Sequence, residues 1–236
     1  MTPLRISGQN LGQLALEDFR PRCCWLKLHC QQRLPFQIFP GIFSSIDAYT
    51  KRITNSHYEK HGRLPAWFDS LGDLGQPLAV PHHSKFHWQD TATGVLLTGA
   101  PDEMLRRQDN SVFIADYKTA RYSAHQDKLL PMYRVQLNAY AAIAERIGLG
   151  TINGLALIYF EPMTDLTADD VDSVVRDDGF LMRFTPKVHP IALKPEMIPP
   201  LLAKARAIYD LPVAPRRAKG CEECHLLDGM LELLQP

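Results

Sequence analysis

The sequence predicts an α/β fold, a core sheet flanked by helices, and three observations carry that expectation. The first third places apolar residues at mixed three- and four-residue spacing. The middle holds short segments rich in β-branched and aromatic residues, separated by turn formers. A helical period then returns at positions 131–147, ahead of a long apolar strand. The 236 residues, 45% hydrophobic and 22% charged, supply a core that needs no disulfide support.

In chain order, the spacing predicts helices over 15–30 and 44–61, with a proline- and glycine-bearing loop at 35–41 between them. Residues 72–81 read as turn-rich. Strands follow at 85–88, 94–98 and 111–118, with Asp109 and Asn110 as a turn before the last. A helix over 131–147 opens on Pro131 and stops at Gly148 and Gly150. Beyond it come strands at 152–160 and 180–184, then a helix at about 199–209 that leads into a tail with two cysteines.

Charge and hydropathy bound the function. Twenty-six basic residues face 26 acidic ones, so the net charge is zero and a coat of nucleic acid is not expected. Local patches remain: residues 20–33 hold four basic and no acidic side chains, whereas residues 165–178 hold six aspartates against Arg176. No apolar run approaches the roughly 20 residues of a membrane helix. The N-terminal residues lack the charged-then-apolar pattern of a signal peptide, so a soluble, cytoplasmic protein is expected. Five cysteines without an export signal point to reduced thiols, three of them at Cys23, Cys24 and Cys30 and two at Cys221 and Cys224.

The segment of greatest chemical content runs from Asp102 to Lys118. Residues two apart in a strand share a face, so Asp116 and Lys118 point together, away from Ala115 and Tyr117. The apolar residues Phe113, Ile114 and Ala115 mark the strand as buried, where a charged pair needs a metal, a partner or water. A hairpin would set Asp102 beside Asp116. Two neighbouring carboxylates then call for a cation between them, and a hard divalent ion such as magnesium suits oxygen ligands. The same spacing also accommodates a structural ion pair with Asp102 capping a turn. On the following helix, Gln136 and Tyr140 are four apart and share a face.

Pro101-Asp102, Asp116-Tyr117-Lys118 and Gln136-Leu137-Asn138-Ala139-Tyr140 together resemble the PD-(D/E)XK nuclease superfamily, and within it the RecB-like exonucleases and the related CRISPR spacer-acquisition nucleases. The resemblance spans about residues 15–225. It implies a restriction-endonuclease-like core, a central mixed β-sheet flanked by helices, with an N-terminal helical segment. One domain would cover 1–236: a mostly helical part over 1–75, the core sheet and motif helix over 80–190, and the C-terminal helix and cysteine tail over 191–236. Asp102 and Asp116 would hold Mg2+ or Mn2+, with the Tyr117 carbonyl completing the shell, Lys118 orienting the attacking water, and Gln136 and Tyr140 positioning the lysine and the strand. A further ligand in such families comes from an upstream helix, a place taken here by Asp47, with His57 and His61 as rivals. Aspartate at position 116 departs from the commoner glutamate.

The same resemblance implies that the two ends are clasped by four cysteines around an iron-sulfur cluster (4Fe-4S). The family's Cys-Pro-Arg-Cys-aromatic-Trp stands here as Arg20-Pro21-Arg22-Cys23-Cys24-Trp25, so the first cysteine is an arginine. Cys23, Cys221 and Cys224 remain as ligands for a cluster or zinc. Cys24, Cys30, His225 or His29 is then the fourth, and the alternative is that the thiols are small buried hydrophobes. The implied activity is metal-dependent hydrolysis of DNA by an exonuclease or single-strand-acting enzyme. Arg121, Lys128 and Arg134 would contact DNA, and repair, CRISPR or phage proteins would be partners. The competing reading is a non-catalytic nucleic-acid-binding or assembly module on the same fold.

Overall fold

A computed structural model describes residues 4–31, 40–122 and 128–233. The chain begins with β1 (Leu4–Ser7), α1 (Gly8–Gly12), α2 (Pro21–His29) and α3 (Gly41–His61), and continues into β2 (Leu74–Leu78), β3 (His87–Gln89), β4 (Val95–Thr98), β5 (Glu103–Arg107) and β6 (Val112–Lys118). It then forms α4 (Leu130–Arg146), β7 (Ile152–Pro162), α5 (Val171–Val174), β8 (Val175–Arg176), β9 (Gly179–Phe180), β10 (Phe184–Ile191), α6 (Ile198–Tyr209) and α7 (Glu222–Leu233).

Five strands form the central sheet in the order β10-β7-β6-β5-β2. β6 and β7 are parallel and are joined through α4, as parallel neighbours require a crossover; the other pairs are antiparallel. The sheet is therefore mixed and flanked by helices, in agreement with the expected fold class.

Alternation along β6 and β7 sorts the core into two layers. Val112, Ile114, Leu155, Leu157 and Tyr159 pack toward α4 and α6, against Val135, Leu137, Ile143 and Leu202. Phe113, Ala115, Tyr117, Ala156, Ile158 and Phe160 face the other way, onto Leu64, Phe68, Leu71 and the Tyr58 ring of α3. That helix ends at Gly62, whose left-handed φ of 66° lets its N–H cap the Tyr58 carbonyl at 2.8 Å.

Several expectations need correction. The N-terminal third is not uniformly helical. β1 runs parallel to β4, and β3 completes a separate three-stranded sheet, so the strands expected at 85–88 and 94–98 do not join the one that holds Asp116. The helix expected from residue 15 starts at Pro21. The turn-rich stretch at 72–81 contains β2, and the strand expected at 180–184 is replaced by the small β8–β9 hairpin and by β10. Both edge strands carry prolines, Pro77 in β2 and Pro186 and Pro190 in β10, which an edge tolerates and a central strand does not. Most of the loop expected at 35–41 lies outside the described residues. Among those described, no helix is long and apolar enough to cross a membrane.

Candidate active site

The site forms where β5 and β6 meet the buried face of α4. Asp116, the fifth residue of β6, points toward α4 and is only 2% exposed. Asp102 directly precedes β5, and its Oδ2 accepts the backbone N–H of Tyr117 at 2.7 Å, which ties the two strand ends together. Lys118 pairs with Asp116 Oδ2 and lies 4.5 Å from the centre of the Tyr133 ring.

Gln136 closes this arrangement from α4. Its Oε1 accepts from the Lys118 ammonium at 3.3 Å, while its Nε2 donates to Asp116 Oδ1 at 3.3 Å and to the Tyr140 hydroxyl at 2.7 Å. One amide thus holds acid, cation and phenol in fixed relation, as helical spacing of four residues allows. The structure brings together Asp102, Asp116, Lys118, Gln136 and Tyr140. The Tyr117 ring lies on the opposite face of the sheet, edge-on to Phe160 at 5.3 Å.

Burial governs the electrostatics. Desolvation pushes the Asp116 carboxyl up, and the neighbouring Asp102 adds to it, although Lys118 opposes both. Burial pulls Lys118 down, but Asp116 more than offsets this and leaves the ammonium raised. Apart from the Lys118 ammonium, the buried Asp116 Oδ2 has no hydrogen-bond donor among the described residues. A buried carboxylate oxygen whose one partner is an ammonium, beside a second carboxylate, fits a hard divalent cation.

The upstream helix places its candidates unevenly. Asp47 accepts from the Lys51 ammonium at 2.8 Å, and the same ammonium lies 2.7 Å from Asp102 Oδ1, so Lys51 stands between the two acids. His57 instead contacts the Arg63 carbonyl at 3.0 Å and the ring of His61, at the far end of α3. Of the basic residues, Arg121 pairs with Glu161 at 3.0 Å and approaches Asp165 at 3.8 Å, whereas Lys128 and Arg134 lie exposed around the start of α4.

Four participants escaped the sequence reading. Lys51 follows Asp47 by one helical turn, and Tyr133 shares the face of Gln136 and Tyr140; both spacings are visible in the sequence. Glu103 is buried beside Asp102 and accepts from the Tyr117 hydroxyl at 3.1 Å. Thr54 of α3 meets that hydroxyl at 3.2 Å. Burial pushes Glu103 up to about 7, the Tyr117 hydrogen bond opposing it.

The two chain ends meet at a thiol cluster. Cys23 Sγ lies 3.5 Å from Cys221 Sγ and 3.3 Å from Cys224 Sγ, and all three are buried. Tetrahedral zinc with sulfur at ~2.3 Å would set sulfurs about 3.8 Å apart, so the trio is close to ligand spacing. Cys24 belongs to the main core and Cys30 is exposed at the end of α2, so neither joins the trio. His29 stacks on Tyr209, and His225 is exposed in the first turns of α7. Arg20 approaches Cys221 Sγ at 3.8 Å, and Arg22 grips Asp228 with contacts of 2.6 and 3.1 Å, joining α2 to α7.

A family model described as the PD-(D/E)XK nuclease superfamily matches residues 28–228. A solved structure described as "Crystal structure of SSO0001" is similar over 100% of this chain and 88% of its own, with 13% identity and a TM-score of 0.43. No curated protein matches the chain.

Proposed function

The chain belongs to the PD-(D/E)XK nuclease superfamily, and from that premise we propose that it is a metal-dependent nuclease that hydrolyses DNA phosphodiester bonds. The observation that carries this reading is the closed circuit of Asp116, Lys118 and Gln136 inside an otherwise apolar interface. Burying such a group costs free energy that apolar residues of similar size would not, which favours a chemical use over a structural one.

Asp102 and Asp116 would hold Mg2+ or Mn2+, with the Tyr117 carbonyl beside them and Asp47 at the rim. Bound there, the ion supplies a Lewis acid and lowers the pKa of its water. The chain's own groups do the remainder. The Tyr117 N–H fixes Asp102, and Gln136 sets the distance between Asp116 and Lys118. Lys118 presents a cation already in place for charge that develops on the phosphoryl oxygens, while Tyr140 keeps the Gln136 amide from rotating.

We read the preference as ends or single strands, in the manner of RecB-like exonucleases, with Lys128 and Arg134 on the DNA backbone and Arg121 exchanging its acidic partners for phosphate. The three thiols would carry zinc or, with a further ligand, an iron-sulfur cluster that clasps the two ends in a reducing cytoplasm. Repair, CRISPR or phage proteins are the proposed partners of this single domain over 1–236. The non-catalytic alternative draws on zero net charge and on Lys51, which already occupies Asp102. End-labelled DNA incubated with purified protein and Mn2+ separates the two: shortening that EDTA abolishes supports the enzyme, and intact DNA supports the alternative.

A further inference from the structure

Lys51 occupies a position that the nuclease motifs do not assign. Asp47, Thr50, Lys51 and Thr54 form one face of α3, and this face meets the end of the sheet. Buried Thr50 and Thr54 let the helix approach closely, and the Thr54 contact with the Tyr117 hydroxyl at 3.2 Å sets its register against β6. The Lys51 ammonium is thereby held 2.8 Å from Asp47 Oδ2 and 2.7 Å from Asp102 Oδ1. The other oxygen of Asp102 is engaged by the Tyr117 N–H, so an ion can gain Asp102 Oδ1 only in competition with this ammonium.

We propose that Lys51 is a resident counter-cation of the Asp47–Asp102 pair, exchanged for the divalent ion when the site loads, and that it sets the metal concentration at which loading occurs. The inference rests on the nuclease reading for the identity of the ion. The contact with Asp102 ties α3 to the sheet, and the ammonium makes it from the place that a cation shared by Asp47 and Asp102 would take. Without the ammonium, two carboxylates from different elements would repel, so the metal-free site keeps its shape because Lys51 is present. The side chain is a third exposed, so the displaced ammonium has solvent to turn into.

Calorimetric titration of the full chain with MnCl2, without DNA, tests this directly. Lys51→Met and Lys51→Gln remove the competitor and should bind Mn2+ roughly three- to fivefold more tightly than wild type, the ratio expected for releasing a partly exposed ion pair. Lys51→Arg keeps the charge and should stay near wild type. Equal or weaker binding by both neutral variants, in a wild type that does bind Mn2+, overturns the proposal, as does a wild type that binds none. Failure of the nuclease reading is distinct: Mn2+ would bind with the predicted order of affinities, and DNA would remain uncut.

Discussion

The backbone of Gly99 lies directly against the ring of Tyr140, so close that a Cβ at this position would fall inside the ring's van der Waals surface. Glycine here is a matter of space, because it lets the Tyr140 hydroxyl reach the Gln136 amide. Gly99→Ala should therefore push the ring aside, at a cost of about 1–3 kcal/mol for overpacking. Thermal melts should show the destabilisation, and at temperatures where the variant is folded its cleavage rate should still be reduced.

Asp116→Ala and Lys118→Met should each lower the DNA cleavage rate by at least about a hundredfold, for different reasons. Calorimetry separates them: Mn2+ binding should vanish in the first and persist in the second. Loss of binding in Lys118→Met would show that the lysine organises the metal site rather than the transferring phosphoryl group.

Glu103 predicts a pH dependence of stability in chelator-treated protein. Its carboxyl is raised to about 7 by burial, so the folded state holds a proton that the unfolded state releases near 4.5. Stability from this group is thus present at low pH and declines as pH rises through that interval, by up to about 3 kcal/mol. Glu103→Gln, which can still accept from the Tyr117 hydroxyl, should raise the melting temperature at pH 8 and leave it nearly unchanged at pH 4.5. An equal effect at both values would show that burial does not raise the Glu103 carboxyl.

Cys221→Ser should release metal and lower the melting temperature, whereas Cys30→Ser, at an exposed position outside the trio, should do neither. Elemental analysis and visible absorbance after anaerobic purification distinguish zinc from an iron-sulfur cluster. Protein carrying neither zinc nor iron, with the two variants melting alike, would leave the trio as packing only.

Local periodicity made the centre of the site legible. A period of two set Asp116 and Lys118 on one strand face, and a period of four set Gln136 and Tyr140 on one helix face. Neither period reports contacts made at a distance along the chain. β1 finds its partner in β4 about ninety residues later, and β5 is hard to recognise because three of its five residues, Glu103, Arg106 and Arg107, are charged. Lys51 reads locally as a partner of Asp47, and only the packing of α3 against β6 brings it to Asp102. Spacing leaves Cys24, Cys30, His29 and His225 open as a fourth ligand, but helix geometry turns Cys24 into the core and leaves Cys30 at the surface.

The most direct measurement is an anomalous difference map from crystals soaked in Mn2+. A peak bonded to both Asp102 and Asp116 is expected, with the Lys51 ammonium withdrawn from Asp102 Oδ1 and Gln136 still joining Asp116 to Lys118. No peak between these carboxylates at saturating Mn2+, with Lys51 still on Asp102, would contradict it.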